Sequence, residues 1–160
     1  MKVLIYGAKG WIGGQFVEIL KQHNIDYQVG ETRVDNIKDL KNELCESNAT
    51  HVVSFIGRTH GKIDDKEYTT IDYLEQPGKL RENVRDNLFS PMVLCMLCKN
   101  IDVHYTYLGT GCIFQFDEDH PFGEENNGFT EESRPNFFGS SYSTVKGYTD
   151  QLMQFFNDSV

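Results

Sequence analysis

Basic residues are scarce in this sequence. Fifteen Lys and Arg stand against 24 Asp and Glu, for a net charge of −9 and a pI of about 4.9. A chain this acidic repels a phosphate backbone, which argues against nucleic-acid binding. An anionic ligand would need local basic groups or backbone N–H donors. Long apolar runs are missing as well. No window approaches the roughly 18 apolar residues of a membrane span. The N-terminal stretch "MKVLIYG" has too short an apolar region for a signal peptide. A cytoplasmic protein without a membrane partner is expected. Cysteine is limited to Cys45, Cys95, Cys98 and Cys112, which are reduced thiols in that compartment. Cys95 and Cys98 form a C-x-x-C inside the apolar helical run "MVLCMLC". No second ligand pair follows, so they read as small core residues and no metal site is expected.

What is present fits a globular protein with a real core: 39% apolar and 12% aromatic residues over 160 positions, a length that suits one domain. Short β-rich runs alternate with helical patterns, without internal repeats. Strands are predicted at 2–6, 26–30, 51–57 and 102–109. Helices are predicted at 11–22, 36–47, 79–99 and 139–157. The first helix places Ile12, Phe16, Ile19 and Leu20 on one face. The second carries Ile37, Leu40 and Leu44 at helical spacing. The third has Leu80, Val84, Leu88, Val93 and Leu97 among its apolar positions, with Pro91 inside it, where a proline bends a helix. This alternation predicts an α/β fold with a parallel sheet and helices on both faces. Ligands of such sheets bind beyond the carboxyl ends of the strands, here at Gly7, Gly30, Gly57 and Gly109. Residues 58–75 and 115–138 read as long loops. The second carries seven carboxylates and few apolar anchors; such loops serve as lids or are simply mobile. The chain stops just after a helix, which leaves a sheet edge open.

Two motifs carry chemistry. The first strand runs into "GAKGWIGG", with Gly7, Gly10 and Gly13 spaced G-x-x-G-x-x-G at a helix start. These glycines allow the tight turn, the approach of a pyrophosphate and close helix–strand packing. A diphosphate would then sit on the helix N-terminus, with Lys9, Trp11 and Ile12 beside it. At the end of the second strand, "VGETRVDN", a carboxylate would hold a ribose 2′-OH and an arginine a 2′-phosphate. Arg33, with Lys9 nearby, favours NADP(H); a simple exposed arginine is the alternative, and NAD(H) stays open. Asp35 is a candidate for the adenine edge. The second motif is "YSTVK", which puts Tyr142 and Lys146 on one helix face. An ammonium beside a phenol lowers the phenol pKa. The phenol can then protonate a carbonyl that receives hydride.

The glycine loop, the "GTGCIF" stretch and "PNFFGSSYSTVK" together resemble the extended short-chain dehydrogenase/reductases. Among these they resemble most the nucleotide-rhamnose synthase epimerase-reductases, which convert UDP-4-keto-6-deoxyglucose to UDP-L-rhamnose. The resemblance implies a Rossmann-like, three-layer α/β/α domain over residues 1–160, equivalent to the N-terminal, cofactor-binding part of an enzyme about twice as long. It implies Thr110 as the hydroxyl that holds the substrate carbonyl, Tyr142 as proton donor, and Lys146 as holder of the nicotinamide ribose. Phe55, Ile56 and Gly57 would flank the cofactor, with "SFIG" departing from the usual N-A-A-G. Arg58 and Asn87 would face the substrate. By likeness to GDP-fucose synthases at "LGxxCI", Cys112 would be an epimerisation acid/base; a small hydrophobe closing the strand is the plainer reading. The second epimerisation residue and the rest of the sugar-nucleotide pocket would lie outside this chain. The resemblance also implies a homodimer through the long helix and the Tyr–Lys helix. Two other readings remain: a dTDP-4-dehydrorhamnose reductase-like enzyme without epimerase activity, and a non-catalytic NADP-binding regulatory module.

Overall fold

The structure, a computed structural model, describes residues 1–123 and 127–159, without the side chains of 157–159. Strand β1 (Lys2–Tyr6) leads to helix α1 (Trp11–Gln22), β2 (Asp26–Val29), α2 (Ile37–Ser47) and β3 (His51–Ser54). A small antiparallel hairpin follows, β4 (Gly61–Ile63) and β5 (Lys66–Tyr68). Then come α3 (Leu80–Val84), α4 (Ser90–Asn100), β6 (His104–Tyr107) and α5 (Ser141–Met153). The main sheet has the order β2-β1-β3-β6, every pair parallel. Chain order reverses at β1, so a crevice opens between the ends of β1 and β3, where a ligand of a doubly wound sheet binds.

Alternation along β1 divides the core, because successive side chains leave opposite faces of a strand. Val3 and Ile5 pack with Leu20, Phe16 and Val17 of α1. Leu4 and Tyr6 pack with Leu40 and Leu44 of α2 and with Val93, Leu94, Cys95 and Cys98 of α4. The C-x-x-C is therefore core, both thiols pushed upward by burial, Cys98 to about 12.

The helix faces depart from the sequence reading. In α1 the buried residues are Gly13 and Leu20, while Ile12 and Ile19 lie exposed. The small residue wins the strand-facing position: a Cβ on Gly13 would sit 2.3 Å from the Gly7 carbonyl oxygen. In α2, Leu40 and Leu44 are buried and Ile37 is exposed. In the third helical run, Leu80 and Val84 are exposed, and Asn83 and Asn87 take the fully buried positions. That run is continuous from 80 to 100, with a π-helical turn at Arg85–Phe89 just before Pro91. Pro91 has no N–H for the carbonyl four residues back. That carbonyl, of Asn87, accepts instead from the Thr149 hydroxyl of α5 at 2.7 Å.

Neither long loop is featureless. Residues 58–75 hold the hairpin and a 3-10 turn at Ile71–Tyr73, whose Tyr73 and Leu74 pack against Tyr142. In the loop at 115–138, Phe129 stacks on the preceding Phe114 at 4.4 Å and on His120 at 4.0 Å. Asp117 accepts from the amides of Asp119 and His120 and from Asn136. Aromatic residues thus supply the apolar anchors that a search for aliphatic spacing overlooks.

Candidate active site

The cradle forms where β1 turns into α1. Gly7 has φ +80°, a left-handed conformation that strains other residues, and a Cβ there would lie 2.9 Å from the Phe55 backbone. The turn closes by Gly10 N–H donating to the Gly7 carbonyl at 3.0 Å. Helix α1 then starts with no side-chain cap and no acid in its first turn. Its first N–H groups and positive dipole end are left for an anion. These residues fit a dinucleotide diphosphate.

The cradle opens into a cleft of about 350 Å³, lined among others by Gly7, Gly10, Arg33, Asp35, Phe55 and Gly57. Seven cofactor residues expected from the sequence meet on this lining, Ile56 included. Lys9, Trp11, Ile12 and Gly13 do not line it: Trp11 is 82% exposed, and Gly13 serves the helix–strand contact. Asp35 does not offer a free carboxylate to an adenine. Both its oxygens take the Arg33 guanidinium, at 3.1 and 3.0 Å, which lowers the Asp35 pKa and raises that of Arg33.

Arg58 and Asn87, the pair expected to face the substrate, have protein partners of their own. Arg58 lines this cleft, its Nε 3.2 Å from Asp86. Asn87 is buried and spends its amide on the protein. Its Oδ1 accepts from Arg58 N–H at 2.9 Å, and its Nδ2 donates to the Arg58 carbonyl at 3.0 Å and to Asn83 at 2.9 Å. It clamps the strand end after Gly57.

The residues expected to react gather at the end of β6. Thr110 begins a 3-10 turn at Gly111–Ile113, its hydroxyl accepting from Cys112 N–H at 3.3 Å. Tyr142 and Lys146 approach from α5, both side chains largely buried. Burial raises the Tyr142 phenol above its ordinary value; the Thr110 hydroxyl opposes this and the nearby Cys112 adds to it. Thr110, Cys112 and Tyr142 therefore form one cluster. The phenol is thus raised on balance, not lowered as the spacing suggested. The Lys146 ammonium is held by the Tyr107 hydroxyl and by the Leu108 carbonyl at 3.3 Å. Burial lowers Lys146 to about 8, with the Asp150 carboxylate opposing.

Sequence reasoning missed two residues that build this corner. Tyr107 reads as an ordinary strand tyrosine. Glu75 lies in a loop without a motif, yet it caps α5: it accepts from Ser141 N–H at 2.9 Å and Tyr142 N–H at 3.0 Å. Ser140 adds a second cap, accepting from Ser143 N–H at 3.0 Å. Capping fixes the first turn of the helix and hence the tyrosine on it.

No family model matches the chain. It is similar to the UDP-rhamnose synthase of Acanthamoeba polyphaga mimivirus, at 50% identity and a TM-score of 0.89, over 100% of this chain and 54% of that one. It is 33% identical over 158 residues to an Arabidopsis thaliana trifunctional UDP-glucose 4,6-dehydratase/UDP-4-keto-6-deoxy-D-glucose 3,5-epimerase/UDP-4-keto-L-rhamnose-reductase. That match takes in 99% of this chain and 22% of the plant enzyme. The chain thus spans about half of the viral relative and about a fifth of the plant one. The fold also recurs in the dTDP-4-dehydrorhamnose reductase of Bacillus anthracis, solved with NADP, at a TM-score of 0.72 and 19% identity over 99% of this chain and 49% of that one.

Proposed function

We propose that this chain, a homologue of a UDP-rhamnose synthase along its whole length, is the cofactor-binding domain of a 3,5-epimerase/4-keto-reductase. The domain spans residues 1–160, and its substrate is a nucleotide 4-keto-6-deoxy sugar, most simply UDP-4-keto-6-deoxyglucose. One observation carries the reading: Thr110, Cys112 and Tyr142 converge beside a buried Lys146, two strands along the sheet from a glycine cradle that fits a dinucleotide.

NADP(H), or NAD(H), when bound would supply the hydride. Gly7, Gly10 and the α1 N-terminus would hold the diphosphate, and Arg33 the far ribose. Phe55, Ile56 and Gly57 would shape the cleft wall. Thr110 would hold the C4 carbonyl oxygen and Tyr142 would deliver its proton. The phenol's raised pKa keeps it protonated at neutral pH, the state a donor needs. Lys146 would orient the near ribose. A C4 ketone acidifies C3 and C5, and the Cys112 thiol would exchange a proton there. A reductase without epimerase activity would not need Cys112.

The test is a titration of the chain with NADPH and NADH, followed by nicotinamide fluorescence, beside Gly10→Asp. A Cβ at position 10 meets only the Gly7 oxygen at 3.3 Å, so the variant should fold while placing a carboxylate in the cradle. Saturable binding that the variant lacks is expected. No binding of either nucleotide would reject the proposal.

A further inference from the structure

Strands β3 and β6 each begin on a histidine, His51 and His104. The strands are parallel neighbours, and the two histidines stand directly opposite one another in the register. Their rings therefore leave the same face of the sheet. They lie at its amino-terminal rim, the far end from the glycine cradle. The ring centres are 5.2 Å apart and the planes are tilted by 51°. His104 is exposed and His51 half-buried. Neither belongs to a ligand motif in the sequence; the sheet brings them together.

Thr50 fixes the pair. Its carbonyl accepts from His104 N–H at 3.2 Å. Its hydroxyl oxygen lies 2.8 Å from His51 Nδ1, 3.1 Å from the Lys2 amide nitrogen and 3.2 Å from the Lys2 carbonyl oxygen. All three contacts are hydrogen bonds only when the hydroxyl donates to the carbonyl and His51 Nδ1–H donates to the hydroxyl. The free lone pair of a neutral His51 ring is then on Nε2. A histidine that binds a metal has this arrangement, its other nitrogen donating to a neighbour.

We propose that His51 and His104 form a two-histidine site for a tetrahedral divalent ion, zinc, which ties β3 to β6. The ring separation selects the ion. Zinc takes imidazole nitrogen at about 2.0–2.1 Å, which puts it about 3.2 Å from each ring centre and sets two rings at a tetrahedral angle about 5.2 Å apart. A square-planar ion such as Cu²⁺ would need centres about 4.5 Å apart. Among the described residues no third His, Cys, Asp or Glu completes a cluster, so water takes the other two positions. β6 is the outer strand of the described sheet, and the ion would pin its start. The site stands apart from the nucleotide cleft and does not depend on the cofactor reading.

The test must resolve single residues, because the exposed thiols of Cys45 and Cys112 also take zinc. The whole chain would be titrated with Zn²⁺ alone and followed by NMR of the histidine ring nitrogens. The His51 and His104 Nε2 signals are expected to shift together and saturate with one ion. His51→Gln and His104→Gln should each weaken the response of the remaining ring by about tenfold or more, and Thr50→Val should weaken both by about tenfold. Thr50→Ser, which keeps the hydroxyl, should restore it. Zinc binding that leaves both rings unmoved, or a ring response that survives loss of its partner, would overturn the proposal and leave the histidines a cross-strand aromatic pair.

Discussion

Lys146 combines an ammonium with almost complete burial, and its chemistry follows from that conflict. Its pKa falls to about 8 because the charged form is desolvated. Any cofactor contact that uses the charge should weaken as pH rises through about 8, and Asp150→Asn should move that midpoint lower. NADPH affinity measured from pH 7 to 9 would show both. Stability runs the other way. Between about 8 and the ordinary 10.5 the unfolded chain binds the proton that the folded chain has released, so stability rises with pH across that window. Urea unfolding at both ends of the window should show this rise in the wild type and a smaller one in Lys146→Met. Of the candidate residues, Tyr142 and Lys146 stand out in the sequence by their four-residue spacing, and Thr110 and Cys112 only through the family resemblance. Tyr107 does not stand out: its bond to Lys146 joins residues 39 apart, and a strand tyrosine carries no signal of what its hydroxyl meets.

At the scale of elements, strand and helix spans followed the alternation of periods closely, while the buried faces of the helices did so in part: Leu20, Leu40, Leu44 and Val93 are buried, and Ile12, Ile19, Ile37, Leu80 and Val84 are exposed. The long helix shows why. Its buried side is polar at Asn83 and Asn87 because those amides tie the end of β3 to the start of α5, Asn83 donating to Ser141 at 3.1 Å. Apolar periodicity then points to the wrong face. The proline left a second trace: the Asn87 carbonyl turns to Thr149 for its donor. Thr149→Val should cost about 1–3 kcal/mol by leaving that carbonyl unpaired in the interior. Pro91→Ala should recover part of the loss, because it restores an N–H to the helix; chemical denaturation of the single and double variants would measure the coupling. The β4–β5 hairpin escaped the sequence reading because its strands are three residues each. Its packing partner is the distant Tyr142 cluster rather than the main sheet.

Taken whole, the molecule has a core on both faces of its four-stranded sheet and a cleft at the reversal of strand order. A ligand that binds only this folded cleft must stabilise the entire domain. Dinucleotide at a hundred times its Kd adds about 2.7 kcal/mol. For a domain of this size that corresponds to a rise in Tm of about 5–10 °C, readable by calorimetry and absent in Gly10→Asp. Helices α1, α2 and α5 each follow the carboxyl end of a parallel strand, and the protein has treated them differently. The start of α5 is taken by Glu75 and Ser140, and α2 carries Asp39 in its first turn. Only α1, of these three, begins without a rival acid. In a molecule with nine surplus negative charges, the proposed diphosphate would thereby meet two closed doors and one open one.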